Sequence, residues 1–282
     1  MKLKSIRNSV IGGTLLILVG VFHYSHTRDD HHTQSLHSLK IGGTSDTIAM
    51  LESLTEAYII ETQTKAIAFD VAFDVALEQS SDTVLEQVRT HAIAAGTINR
   101  SLTPEEQKTV TYVPLTTVPL AIAVHNSVTN VTALSPMELQ AIYQGDMTNW
   151  QAVGGPDAEI VVFDIAETAP AKAIFRQTYL GETLTVTPNA VVLADERESL
   201  DMASTTDFSI SIVPLNHELD AVSAVNIQGT SETKATAGYA QEKEAMHLPI
   251  GMVVSSDPNP DIQSLVDFAQ SSEGQNFLAR TN

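Results

Sequence analysis

From Leu39 onward the chain repeats one order of events: a short apolar run, a polar turn, then a stretch with helical periodicity. Leu39-Lys40-Ile41 leads through Gly42-Gly43-Thr44-Ser45 into a helix over residues 46–60. Ser45 or Asp46 can cap it, and Ala49, Leu51, Leu54 and Tyr58 fall near helical spacing. A strand over 66–71, a helix started by Ser80-Ser81-Asp82-Thr83, a strand over 92–95 and a helix start at Thr103-Pro104-Glu105-Glu106 continue the series. Such alternation builds βαβ units on a largely parallel sheet. Residues 110–124 break the rhythm with one long extended stretch, interrupted by Pro114 and Pro119, that reads as a strand crossing from one lobe to another. Beyond it Ser135 and Glu138 form a capping-box pattern. Strands over 160–163, 191–193, 210–215 and 248–254, a helix over 170–179 and a closing helix over 261–279 complete an α/β chain.

Composition narrows the function more by exclusion than by sign. Hydrophobic residues are 43% of the 282, enough for a globular core. The absence of Cys excludes disulfides, thiolate metal sites and cysteine nucleophiles. With 34 acidic against 15 basic residues the net charge is −19, which repels nucleic acid. An anionic ligand must therefore be held by local hydrogen-bond donors, not by the overall field. No Gly-x-Ser-x-Gly elbow or phosphate-cradling Gly-x-x-x-x-Gly-Lys-Ser/Thr loop is present, and His91, His125, His217 and His247 are scattered. The sequence thus assigns no catalytic residue, no metal ligand and no cofactor.

The amino terminus is of another kind. Lys2, Lys4 and Arg7 precede an apolar run over 10–22, the order of an export signal with its basic end inside. The run is short for a span, yet no small-x-small cleavage pattern follows it. Residues 1–38 are read as a signal or uncleaved anchor that leaves the bulk of the chain in the periplasm, tethered to the inner membrane. His23, His26, His31, His32 and His37, with Asp29 and Asp30, serve as a polar tether or as ligands for zinc, nickel or copper; no fixed metal-site spacing favours the second.

The segment from Leu134 to Trp150, with Leu139, Ile142, Tyr143 and Gly145, runs through Thr148-Asn149-Trp150 into Gly154-Gly155. It resembles the phosphate-binding proteins of phosphate ABC importers, where a Leu-x-x-x-x-Leu-x-x-Ile-Phe-x-Gly helix leads to Thr-Asn-Trp and Gly-Gly. The loop at Gly42–Thr47, the stretch ending Asn99-Arg100-Ser101-Leu102-Thr103-Pro104 and the close at Phe268-Ala269-Gln270 fall in the same order. The resemblance covers residues 39–282. It implies a two-lobed periplasmic binding fold of type II, with residues 39–118 and 240–282 in one lobe and 119–239 in the other, and a small ligand, inorganic phosphate, clamped between them. An ABC importer's membrane subunits or a sensor would be the partner, with no nucleic acid and no enzymatic step. It also implies donors at Thr44, Ser45, Thr47, Ser80, Ser81, Asn99 and Arg100. Arg100 has a second reading, as a surface pair or cap.

The second lobe departs from that pattern. Where the family carries an Arg followed by Ser-Gly-Thr, this chain has Asp164-Ile165-Ala166-Glu167-Thr168-Ala169-Pro170-Ala171. Thr168 is the remaining hydroxyl and is kept as a candidate, while Asp164 and Glu167 would repel phosphate. Two functions stand at this point: a phosphate-type binding protein, or a relative with a degraded site that takes another solute or serves as a membrane-anchored accessory protein.

Overall fold

The computed structural model describes residues 37–62, 67–71, 79–217, 219–228 and 246–281, within one compact unit spanning Leu36–Asn282. The basic and apolar start and His23 to His32 lie outside the described residues. Among those described, no helix is long and apolar enough to cross a membrane, and no group of three or more His, Asp or Glu is placed to hold a metal.

In chain order the elements are β1 (His37–Gly43), α1 (Ile48–Thr62), β2 (Ile67–Val71), α2 (Ser81–Arg89), β3 (Ala95–Ile98), β4 (Val110–His125), β5 (Ala133–Leu134) and α3 (Pro136–Gln144). There follow β6 (Val161–Ile165), α4 (Pro170–Phe175), β7 (Val191–Leu193), α5 (Glu196–Thr205), β8 (Ser209–Pro214), β9 (Val222–Ala224) and β10 (Asn226–Ile227). β11 (Met246–Ser255), α6 (Pro260–Gln270) and α7 (Ser272–Thr281) close the chain. One sheet runs β2-β1-β3-β11-β4-β8-β6-β7, with β9 also against β4. β1 to β3 are parallel, as are β6 to β8, but the two central strands lie antiparallel to each other and to their neighbours. The parallel sheet expected from the βαβ rhythm is therefore present within each lobe and interrupted between them.

β4 and β11 carry the division. Val113 and Leu115 belong to a core with Ile41, Leu51, Leu54 and Leu265, whereas Val118, Leu120 and Ile122 belong to a core with Leu139, Trp150 and Phe175. On β11 the same switch falls between Ile250 and Met252. The ladder slips there: Ile250 pairs with Thr116 and Gly251 with Pro114, leaving Leu115 as a bulge. Pro114 has no amide to give to the ladder. A Cβ at Gly251 would stand 2.1 Å from the Tyr112 ring, so only glycine lets that ring lie across the crossing.

The family-like segment builds core. Ser135 and Glu138 close the expected capping box, with amide to oxygen distances of 3.2 and 2.7 Å, and Gly145 ends α3 at φ 83°. Trp150 is wholly buried and its indole N–H donates to the Phe208 carbonyl at 2.9 Å.

Several expectations are corrected. The strand placed at 92–95 begins only at Ala95, because the chain first reverses through His91 at φ 57°, with the Ala92 and Ile93 amides turned back to the Gln87 carbonyl. The helix start at Thr103 yields a single 3-10 turn, Glu106–Lys108. The closing helix is broken at Ser271, whose extended backbone and hydroxyl, accepting from the Gly274 amide at 3.1 Å, start α7. Neither Ser45 nor Asp46 caps α1; the Thr44 carbonyl takes the Thr47 and Ile48 amides instead. α5 was not anticipated at all, since two of its four inward positions, Glu196 and Ser199 beside Leu200 and Ala203, are polar.

Candidate functional site

In an open α/β sheet, ligands sit beyond the carboxyl ends of the strands, where turns lead into helix starts. In the first lobe these are the turns after β1 and β3 and the start of α2. The Thr47 hydroxyl, 1% exposed, lies 2.7 Å from that of Thr97 and 2.9 Å from that of Thr44. Gly43 makes the room: a Cβ there would stand 2.3 Å from the Thr97 hydroxyl. Thr44 and Thr47 are thus brought together, but in an internal threonine cluster. The Ser45 side chain is exposed and free of it. Ser45 and Asp46 lie in the turn that leads into α1.

Two of the other first-lobe candidates share a chain of bonds. Ser81 donates to the Asn99 side-chain oxygen at 2.9 Å, and the Asn99 amide donates to Asp46 at 3.0 Å. Ser80 is exposed and caps α2, accepting from the Thr83 amide at 3.3 Å. Arg100 grips Glu106 through two bonds of 2.9 and 2.7 Å, and gives two more to Asp82 at 2.6 Å and the Ser101 carbonyl at 3.0 Å. Four of the five N–H donors of a guanidinium are so occupied. The Arg100 bonds hold the Glu106 carboxyl down to about 2, and the same bonds raise the guanidinium further. Of its two readings, the geometry gives Arg100 the paired one.

The second-lobe edge is charged. Asp164, 4% exposed at the end of β6, is ion-paired with Lys172, which is wholly buried in α4. Glu167 lies 3.7 Å from the same ammonium and takes two bonds from Arg176, at 2.8 and 2.5 Å. Those bonds hold its carboxyl below the usual range. The repulsion expected of Asp164 and Glu167 is thereby corrected: each carboxylate has its own cation. Thr168 is exposed in the turn before α4, whose start has an Ala169 cap without a side-chain bond and a Pro170 without an amide.

α5 adds a group the sequence reading missed. Glu196, its first residue, is 4% exposed, and its Oε2 has no hydrogen-bond partner. Burial raises this carboxyl to about 7, and Asp46, from the first lobe, pushes it the same way. The Ser199 hydroxyl one turn later is equally buried and without a partner. Lys172 was also missed, although a signal existed. An Asp flanked by Phe163 and Ile165 in a buried strand requires a cation, and the next helix starts with one. Two surface hollows, of about 500 and 440 Å³, open beside Phe268 and beside Leu102; neither is lined by these groups.

The profile of the PBP superfamily domain matches residues 29–273. This chain belongs to the PBP superfamily. The phosphate-binding protein PstS of Borreliella burgdorferi is 22% identical to this PBP-superfamily chain over 160 residues, 52% of this chain and 56% of the relative. The chain thus spans about half the length of the curated relative it matches. Among solved structures, a putative phosphate ABC transporter substrate-binding protein with bound phosphate from Clostridium perfringens aligns at TM-score 0.69 and 21% identity, covering 87% of this chain and 98% of that one. An ABC-type phosphate transport receptor from Vibrio cholerae aligns at 0.62 and 19%, covering 86% and 98%. At such identities these likenesses establish the two-lobed α/β fold.

Proposed function

We propose that this chain is an exported solute-binding protein of the phosphate type, holding a small oxyanion, inorganic phosphate, between its lobes for an ABC importer or a sensor. The observation that carries the reading is architectural. Two α/β lobes, each with its own core, are joined by two long antiparallel strands, and Asp46 of the first lobe acts on Glu196 of the second. The whole length of the phosphate-loaded Clostridium perfringens protein, to 98%, superposes on this frame.

The lobes of the proposal are residues 39–118 with 240–282, and 119–239. Its ligand groups are the Ser45 hydroxyl, the first amides of α1 and α2, and Thr168 from the second lobe. Thr44, Thr47, Ser80, Ser81, Asn99 and Arg100 shape and brace that edge through the bonds described. An anion at helix starts is favoured by free amides and by the helix dipole, which suits a chain whose overall charge is adverse. The protein acts in the periplasm, tethered through residues 1–38, and performs no chemical step.

Calorimetric titration of the purified chain with inorganic phosphate tests the reading. One site tighter than about 1 μM, roughly 8 kcal/mol of binding, is expected. No heat with phosphate, against a clear response to a neutral or cationic solute, would overturn it.

A further inference from the structure

The start of α5 presents a group that the phosphate-type reading leaves unused. Glu196 lies at the start of a ten-residue helix, past the carboxyl end of β7. Its helix is already capped: Asp195 accepts from the Arg197 and Glu198 amides at 3.0 and 2.9 Å. Glu196 is left only its own backbone amide to bond, yet it is 4% exposed with Oε2 unpartnered, and Ser199, 0% exposed, leaves its hydroxyl unpartnered on the same helical face. Buried polar atoms are bonded in the great majority of cases, and an unmade bond is costly. Two of them one turn apart at the start of α5, the first acted on by Asp46 of the other lobe, indicate polar groups kept for a ligand.

The surroundings decide which form of the carboxyl serves. Burial disfavours its charge, its own backbone amide favours it, Asp46 opposes it from the turn before α1 in the other lobe, and Asp195 and Arg197 act in opposite senses from the start of α5. The sheet face beneath α5 presents Ser209, Ser211 and Val213 from β8. β4 carries His125, which pairs with Asp207 at 3.2 Å, past the far end of α5. The nearby charges that matter are thus mainly negative, and an ionised Glu196 would be opposed by Asp46. A neutral acid is instead a hydrogen-bond donor.

We propose that Glu196 is a ligand-contacting residue of the cleft, its carboxylic acid giving a hydrogen bond to an oxyanion from the α5 side, with the Ser199 hydroxyl beside it and Asp46 opposite. The proposal rests on the phosphate-type reading and adds its consequence: the oxyanion is taken up together with a proton. Burial already lifts the carboxyl to about 7. At pH 8 the free protein has mostly lost that proton and must regain it on binding. The Asp46 carboxylate, steadied by the Asn99 amide at 3.0 Å, is placed to accept from a protonated oxyanion.

The test is titration of the full chain with inorganic phosphate from pH 6 to 9, in buffers of differing ionisation enthalpy, on wild type, Glu196→Gln and Glu196→Ala. Comparison at equal pH cancels phosphate's own titration. Glutamine still donates, so Glu196→Gln is expected to bind well at pH 6. At pH 8 it should take up about one proton fewer than wild type, and its relative affinity should rise about tenfold per pH unit above 7. Glu196→Ala should lose about ten- to a hundredfold at pH 6. Equal proton uptake in wild type and the glutamine variant, or an alanine variant that binds like wild type, overturns the Glu196 assignment while leaving the phosphate reading in place. A wild type silent to phosphate at every pH overturns both.

Discussion

The candidate edges of the two lobes differ in how deeply their charges are buried. The first lobe's edge rests largely on neutral bonds: the Thr44, Thr47 and Thr97 hydroxyls bond one another, Ser81 and Asn99 lead separately to Asp46, and the Arg100 pairs with Glu106 and Asp82 stand apart from both. The second lobe's edge is ionic, with Asp164 on Lys172, Glu167 on Arg176, and Glu196 by itself. Neutral bonds of that kind lose little on burial when all are made, whereas buried ions depend on their partners being present. The first edge should therefore tolerate change better than the second.

The sharpest challenge to that contrast is Lys172→Met. It leaves the Asp164 carboxylate buried without a cation, and a broken buried pair costs about 3–5 kcal/mol. Urea unfolding at pH 7 measures it. The double variant Asp164→Leu with Lys172→Met should recover most of the loss, because a well-packed apolar pair replaces the ions without strain on charge. A loss under about 1 kcal/mol in the single variant would show that the pair is open to water and that the second edge is no more fragile than the first.

What could be read from the sequence follows the same contrast. The βαβ rhythm, the crossing strand at 110–124 and the Ser135–Glu138 capping box are local patterns, and the structure keeps them. The order of motifs around Trp150 carried the two-lobed fold because Trp150 itself is a core residue, held by a bond to Phe208. The site was less legible. Thr47 and Arg100 look like donors in one dimension, but their bonds go to Thr97, 50 residues away, and to Glu106 and Asp82. Glu196 escaped because helix α5 was invisible: its spacing of buried positions, 196, 199, 200 and 203, is helical, but a hydrophobicity pattern reads only two of them.

Glu196→Gln also separates the lobes by stability, with no ligand present. The folded-state value of the carboxyl, about 7, lies above its ordinary 4.5. Between those values the folded chain holds a proton that the unfolded chain has lost, so stability falls as pH rises from 4.5 to 7, and the full cost stands above 7. That cost is about 2–4 kcal/mol. The glutamine variant does not titrate. Relative to wild type it should gain on that order between pH 4.5 and pH 8 in urea unfolding; parallel pH profiles would mean that Glu196 is solvated.

Thr47→Val gives the smallest effect and tests the neutral edge directly. The substitution keeps the volume but removes the hydroxyl on which both Thr44 and Thr97 depend, at 2.9 and 2.7 Å. Two buried hydroxyls then lose a partner, for a cost of about 1–3 kcal/mol in thermal or urea unfolding. Because the hydroxyl turns inward to that cluster, phosphate affinity of the folded variant should stay within about threefold, less than one hydrogen bond's worth. A folded Thr47→Val protein that loses more than about tenfold in affinity would put this threonine on the ligand. The first edge would then be a binding surface in its side chains as well as in its amides, and the contrast between the lobes would narrow to one of charge alone.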